Sequence, residues 1–337
     1  MKNILFTCAG RRNYLINYFK EVLNGEGKVF ATDMQMNAPA MLDADVAIQV
    51  PGIYEDSYIP SILEIVRENK IDAVISLNDL ELPVLAQFKT QIQALGAKVI
   101  VSDEKAINIA FDKWETVKFL EDLGLKFPKT FIDLEDAKNA ISKGDLNFPV
   151  VVKPRWGSAS IGIDFPEDFN ELELVYKLQK IRLKRTILSE ASNSDIEHAI
   201  LIQEKITGDE FGMDVLNDFE GKYHGTFVRK KLQMRAGETD KAISVVDSRF
   251  DEIGKMIGNS LGHIGNLDCD IFEHKGELYV LELNPRFGGG YPFSHEAGMN
   301  TAAVYIEWLK GNNDISKFNK YQQGIMYSKC DRLIKVN

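Results

Sequence analysis

Three segments of the 337-residue chain carry residue types whose spacing suits work on a phosphorylated anion. In the most specific, Gly265-Asn266-Leu267-Asp268-Cys269-Asp270-Ile271-Phe272 and Leu278-Tyr279-Val280-Leu281-Glu282-Leu283-Asn284-Pro285-Arg286 flank a turn at His274-Lys275-Gly276. A three-residue loop centred on Lys275 sets Asp268 opposite Glu282, and strand alternation puts Glu282 and Asn284 on one face. Two carboxylates and an amide oxygen are the hard donors that Mg²⁺ takes when phosphates complete its shell. A two-residue loop shifts the pairing by one and sets Cys269 opposite Glu282 instead. Because Glu282 interrupts the apolar run 278–283, where an unpaired buried charge would be costly, metal ligation is preferred to a solvated acidic face.

In the second segment, the strand Val150-Val151-Val152-Lys153-Pro154 ends in a lysine and runs into Arg155-Trp156-Gly157-Ser158-Ala159-Ser160-Ile161-Gly162. Small residues let backbone N–H groups approach an anion, and serine hydroxyls add donors. The P-loop pattern GxxxxGK[ST] is absent. The third segment, Ile202-Gln203-Glu204-Lys205-Ile206-Thr207-Gly208-Asp209-Glu210-Phe211, joins two strands through a glycine turn. Such a hinge can offer backbone groups to an adenine edge and a carboxylate to ribose hydroxyls. His295 follows Gly288-Gly289-Gly290 near the acceptor side, but a lone histidine there reads as structural.

The elements that must position these residues fall into two patterns. Over the first hundred residues, apolar runs at 4–8, 29–32, 73–77 and 98–101 alternate with helical periodicity, which implies a parallel sheet covered on both faces. A nicotinamide site is disfavoured, because Ala9-Gly10-Arg11-Arg12-Asn13 has one glycine where the dinucleotide fingerprint needs three. Arg11, Arg12 and Asp33 are left as substrate candidates without a motif. From about 103 a helix through 111–123 is followed by short strands near 130–132, 150–153, 199–206, 211–216 and 223–232, helices near 168–185 and 248–261, and the hairpin at 267–284. The fold class is α/β followed by α+β.

Forty Lys and Arg against fifty Asp and Glu leave a net charge of −10, spread along the chain, which argues against nucleic-acid binding. Cys8, Cys269 and Cys330 form no metal spacing and read as reduced thiols of a cytoplasmic protein. No apolar run approaches the roughly 20 residues of a membrane helix, so no membrane partner is expected.

The three segments, in this order, resemble the ATP-grasp superfamily, and are similar to the large subunit of carbamoyl phosphate synthase and related carboxylate–amine ligases. The resemblance implies a Rossmann-like pre-ATP-grasp domain (1–105), a small lid subdomain with its linking helix (106–200), and a C-terminal subdomain (201–337), the last two gripping ATP. It implies that Lys113 and Lys153 reach the phosphates, with Gly157 and Ser158 in the loop over them. Gln203 or Glu204, with the backbone of Lys205 and Ile206, would meet adenine, and Glu210 the ribose. Asp268, Glu282 and Asn284 would hold Mg²⁺, with Mn²⁺ as the alternative metal, while Arg286 and Arg235 would face the transferred phosphoryl group. The implied reaction phosphorylates a small-molecule carboxylate and couples it to an amine, and a homodimer fits the superfamily. The alternatives are an ATP-binding subunit or sensor without catalysis, and carboxyphosphate chemistry. Making carbamoyl phosphate itself is disfavoured, because the chain carries one such set where the synthase subunit carries two.

Overall fold

The first apolar run forms strand β1 (Ile4–Thr7), whose four residues are all buried, as a strand covered on both faces requires. The computed structural model of the chain describes residues 1–157 and 162–336. In it β1 joins β2 (Val29–Asp33), β3 (Val46–Gln49), β4 (Ala73–Ser76) and β5 (Lys98–Ile100) in a parallel sheet of order β3-β2-β1-β4-β5. Phe6 packs beneath the helix Asn13–Leu23 on one face, and Leu5 with Ile62 and Leu85 on the other. The strand order reverses beside β1, so a crevice opens at the carboxyl ends of β1 and β4. There the fully buried Glu81 accepts hydrogen bonds from Thr7 Oγ1 (2.8 Å), Ser76 Oγ (2.6 Å) and the Tyr58 hydroxyl. These donors fix the loop after β4, which carries Asp79.

The helix expected across 111–123 is instead two helices, Glu104–Phe111 and Lys113–Asp122, broken at Asp112. Asp112 leaves helical geometry and caps the second helix by accepting from the Trp114 N–H at 3.0 Å. The same carboxylate is gripped by Arg155 through Nε and Nη2, each at 2.7 Å. Lys113 therefore starts a helix that is tied to the residue following Pro154.

Strands β6 (Thr130–Phe131), β7 (Val150–Pro154) and β8 (Ile200–Glu204) form a small antiparallel sheet of order β6-β8-β7. The remaining strands are β9 (Asp209–Asn217), β10 (Tyr223–Arg235), β11 (Glu238–Val245), β12 (Asn266–His274), β13 (Glu277–Asn284) and β14 (Met326–Ser328). They form one sheet of order β13-β12-β9-β10-β11-β14. Phe211, Met213, Val215, Cys269 and Leu283 point to one face and pack with the helix Ser248–Leu261. The other face is largely charged, and it holds the site. Strand β11 lies outside the sequence expectation, because Glu238, Asp240 and Lys241 blur its apolar alternation.

Two histidines are packed as neutral groups. Nε2 of the buried His263 lies 3.1 Å from the Val215 carbonyl. His295 stacks on Tyr18 with ring centroids 3.6 Å apart. Burial brings both pKa values down to about 4. Because each folded-state value lies below the unfolded one, the linked stability is intact above about pH 6.5 and is lost as pH falls toward 4. Urea unfolding should therefore show a loss of about 2 kcal/mol from His263 alone between pH 7 and pH 5. His263→Gln, which keeps a donor but cannot titrate, should flatten that part of the slope.

Candidate functional site

The β12–β13 hairpin closes through a two-residue turn at Lys275-Gly276, since His274 pairs with Glu277. Its pairing is then interrupted: Ile271 lies opposite Val280, but Asp270 lies opposite Glu282, leaving Leu281 as an extra residue. The expectation that Asp268 faces Glu282 is corrected by the two-residue turn and this bulge together, each of which shifts the pairing by one. Asp268 stands opposite Asn284, and Asp270 takes the place beside Glu282. Without the bulge, Glu282 would pair with the fully buried Cys269 and point into the core.

Asp268 is committed elsewhere. It accepts from Arg229 Nη2 at 2.6 Å, and Arg286 Nη1 lies 3.7 Å from its other oxygen. Arg229 is 1% exposed and also donates through Nη1 to Asp214, whose carboxylate further accepts from Ser294 Oγ at 2.6 Å. A buried ion triad of this kind is held by geometry, because an unpaired member would carry its full desolvation cost. Two glycines make room for it. A Cβ on Gly290 would stand 2.2 Å from Arg229 Nε, and one on Gly288 would stand 2.1 Å from the Asp268 carboxylate.

Asp270 is paired differently. Lys231 reaches Asp270 at 2.7 Å and Glu210 at 2.6 Å, which accounts for the position of Glu210 at the edge of the site. Burial pushes the Asp270 carboxyl up to about 6 against the pull of Lys231, with Asp268 and Glu282 adding to the rise. Glu282 itself has no cation within 4.0 Å among the described residues. Burial works to raise its carboxyl, but Lys113, Lys153 and Arg286 outweigh that effect and hold it low. It is thus an ionised carboxylate with spare lone pairs, next to the Asn284 amide.

The basic residues approach from other elements. Lys113 Nζ donates to the Gly157 carbonyl at 2.7 Å. Lys153, 4% exposed, donates to Gln203 Oε1 at 2.8 Å, and Gln203 Nε2 donates to Thr130 Oγ1 at 2.7 Å. Burial and the neighbouring Lys113 bring the Lys153 ammonium down to about 8. Arg286 Nη2 donates to Asp79 at 2.5 Å, so the loop after β4 helps orient it. Asp79, Lys113, Gly157, Glu282 and Asn284 line one small cavity, of which about 10 Å³ admits a water centre, roughly one water. Asp79 Oδ1 in this cavity, and Nε of Arg286 bound to Asp79, are buried without a hydrogen-bond partner, as expected where a ligand or water completes the shell.

The other expected residues separate. Glu204 points away from Gln203 and accepts from the Lys129 N–H at 3.2 Å. Lys205 is exposed, 5.0 Å over the Phe165 ring, and Ile206 is half-buried beside it. Ser158 lies outside the described residues. Arg235, expected beside the phosphates, instead sits at the tip of the β10–β11 hairpin, bound to Asp240 (2.9 Å) and Asp331 (2.7 Å). Strand β10 is long enough to carry it there, and Arg229, six residues earlier, enters the charged face roughly 20 Å back along the strand. Arg229, Lys231, Asp270, Asp214 and Asp79 escaped the sequence reading. The signal for the first two was the run Arg229-Lys230-Lys231 at the centre of a strand flanked by Phe227, Val228 and Leu232, where alternation puts the first and third bases on one face. Among the described residues no group of three or more His, Cys, Asp or Glu side chains forms a cage for a metal ion. The open donors are Glu282, Asn284 and the second oxygen of Asp270, a set of hard oxygens that fits a cation sharing its shell with phosphates. No helix among the described residues is long and apolar enough to cross a membrane.

Comparison with known proteins agrees with this layout. Residues 4–100 match the family model described as PylC-like, N-terminal domain, and residues 110–290 match the ATP-grasp domain. The chain is 24% identical over 268 residues to the carbamoyl phosphate synthase large chain of Campylobacter jejuni subsp. jejuni serotype O:2, covering 75% of this chain and 23% of that one. It thus spans about a quarter of the length of the synthase large chains it matches. It is 24% identical over 295 residues to the D-alanine–D-alanine ligase of Helicobacter pylori (strain P12), covering 85% and 78% of the two chains. Among solved structures, the biotin carboxylase β,γ-ATP complex of Campylobacter jejuni superposes with a TM-score of 0.73 at 19% identity, covering 94% and 72%. The L-amino acid ligase of Bacillus licheniformis superposes with 0.69 at 21% identity, covering 97% and 79%.

The glycine clearances give a direct test. Gly290→Ala should destabilise the protein by about 1–3 kcal/mol, as overpacking does, because the Arg229 guanidinium cannot move without leaving Asp214 or Asp268. Gly289→Ala, whose Cβ would stand 3.2 Å from the flexible Glu238 side chain, should cost much less. Equal melting temperatures for the two variants would contradict the packing described.

Proposed function

The chain belongs to the ATP-grasp family, and from that membership we propose that it is an ATP- and Mg²⁺-dependent ligase joining a carboxylate to an amine. The division into a pre-ATP-grasp domain (1–105), a lid region (106–200) and a C-terminal subdomain (201–337) is part of the same proposal. The observation that carries it is Glu282: an ionised carboxylate without a paired cation, flanked by Asn284 and Asp270 and surrounded at longer range by Lys113, Lys153 and Arg286. A stable fold gains nothing from leaving such a charge open, whereas a cation bound with phosphates uses it.

Mg²⁺ would be held by Glu282, Asn284 and Asp270, and when bound it supplies charge neutralisation at the phosphate oxygens. The protein's own groups do the rest. The Lys153–Gln203 pair, fixed through Thr130, presents donor and acceptor groups toward the base and phosphates. Lys113, at the start of a capped helix, points its ammonium toward the same cavity. Arg286, oriented by Asp79, faces the phosphoryl group in transfer. A carboxylate oxygen of the substrate attacks the γ-phosphorus and ADP leaves. The amine then attacks the acyl carbon, phosphate leaves, and the nitrogen gives up its proton. Positioning and electrostatics account for most of the catalysis in such transfers.

Two measurements check this reading. ATP with Mg²⁺ at about a hundred times its Kd should stabilise the protein by about 2.7 kcal/mol, with no comparable shift from NADH. Glu282→Gln should reduce ADP formation by about a hundredfold or more while leaving the melting temperature of the free protein within a few degrees. Turnover that survives the substitution would remove Glu282 from the metal site.

A further inference from the structure

The loop after β1 brings two arginines to the mouth of this site. Its backbone is fixed: Gly10 N–H donates to Asp33 Oδ2 at 2.9 Å, Ala9 N–H to the Thr32 carbonyl at 3.1 Å, and Arg12 N–H to the Ala9 carbonyl at 3.0 Å. Arg12 Nη1 donates to the Tyr14 hydroxyl at 3.1 Å, and that hydroxyl donates to the Gly288 carbonyl at 3.2 Å. Gly288 is the residue that lies against Asp268, so Arg12 is coupled to the phosphoryl end of the charged face. Next to it, Glu238 stands within reach of a Cβ on Gly289, and Lys329 binds Glu238 at 3.2 Å.

Every carboxylate in this neighbourhood is already spoken for. Glu238 has Lys329, Asp240 and Asp331 have Arg235, and Asp268 has Arg229. Asp33 uses its two oxygens on the backbone N–H groups of Gly10 and Gln35. Among the described residues neither Arg11 nor Arg12 has a carboxylate within 4.0 Å. Burial would raise the Glu238 carboxyl, yet Lys329, Arg12 and Arg11 together hold it low, and Arg11, beside Arg12 on the same fixed loop, is exposed to solvent. In a chain of net charge −10, two arginines on one rigid loop with no carboxylate paired to either leave room for an anion as partner, and the planar fork of arginine suits a carboxylate.

We propose that Arg11 and Arg12 form a subsite for a second carboxylate that the substrate keeps through the reaction, so that the ligase activates a dicarboxylic acid, acidic amino acids included, rather than a simple monocarboxylate. This assignment rests on the ligase reading for its place in the reaction, but not for the binding itself. Tyr14 holds Arg12 by one N–H and leaves its remaining donors for the ligand.

The test has a binding arm and a turnover arm. Glutarate should raise the melting temperature of the wild-type protein, and butyrate at the same concentration and ionic strength should not. Arg12→Ala should erase the glutarate shift, and Arg12→Lys should keep part of it. In the turnover arm, ADP release with ATP, Mg²⁺ and ammonia is compared across acidic amino acids, other dicarboxylates and their monoamides. The free acids should be preferred, and Arg12→Ala should raise KM for them by about tenfold or more, with a smaller effect on kcat. Equal shifts from glutarate and butyrate, or an Arg12→Ala variant that responds as the wild type does, overturn the subsite. A wild-type glutarate shift without ADP release from any pair would leave the subsite standing and remove the ligase reading instead.

Discussion

Strand β13 contains one residue more than its partner between the turn and Asp270, and that residue, Leu281, decides which face Glu282 takes. Sheet side chains alternate with a period of two, so one inserted residue moves everything beyond it to the opposite side. Between the turn and the bulge the hairpin follows an ordinary register. Past the bulge, Asp270 and Glu282 come together, Asp268 meets Asn284, and Cys269 and Leu283 keep the core beneath them. The charged face of the sheet exists because of that offset.

The charges on that face differ in kind. Arg229 between Asp214 and Asp268 is closed: each member is buried and paired, and Gly288 and Gly290 are pressed flat against it. Glu282 is open, held ionised by cations that stand off from it. The closed set gives the sheet a rigid floor, and the open one gives it something to bind with. Arg286 joins the two, since it approaches Asp268 on one side and takes Asp79 of the N-terminal sheet's loop on the other. The N-terminal sheet thus meets the charged face through the Arg286–Asp79 ion pair as well as through the Tyr14 hydroxyl on Gly288, and Glu81 anchors the loop that carries Asp79.

Much of this was legible in the residues. The parallel first sheet followed from continuous apolar runs such as Ile4–Thr7, and the hairpin followed from alternation on both sides of Lys275-Gly276. Lys113, Lys153 and Arg286 stand around Glu282 and Asn284, and Gln203 holds Lys153. Alternation reveals neither the two-residue turn nor the bulge at Leu281, which looks like any apolar strand residue, and the two shifts together set Asp270 rather than Asp268 opposite Glu282. Arg235 was misplaced for a related reason: motif spacing fixes a neighbourhood, whereas the length of β10 fixes which residue reaches the face. Arg229 stayed hidden because a buried arginine is recognisable only once its two carboxylates, from β9 and β12, are seen beside it.

The most direct test of this account compares Asp270→Asn with Asp268→Asn, measuring ADP formation against Mg²⁺ concentration alongside thermal unfolding. Asp270→Asn should stay folded and need much more Mg²⁺ for turnover. Asp268→Asn should lose about 3–5 kcal/mol of stability, because it leaves Arg229 with one partner. The opposite outcome, a stable Asp268→Asn protein with a raised Mg²⁺ requirement beside an Asp270→Asn protein with ordinary turnover, would contradict the register on which the site depends.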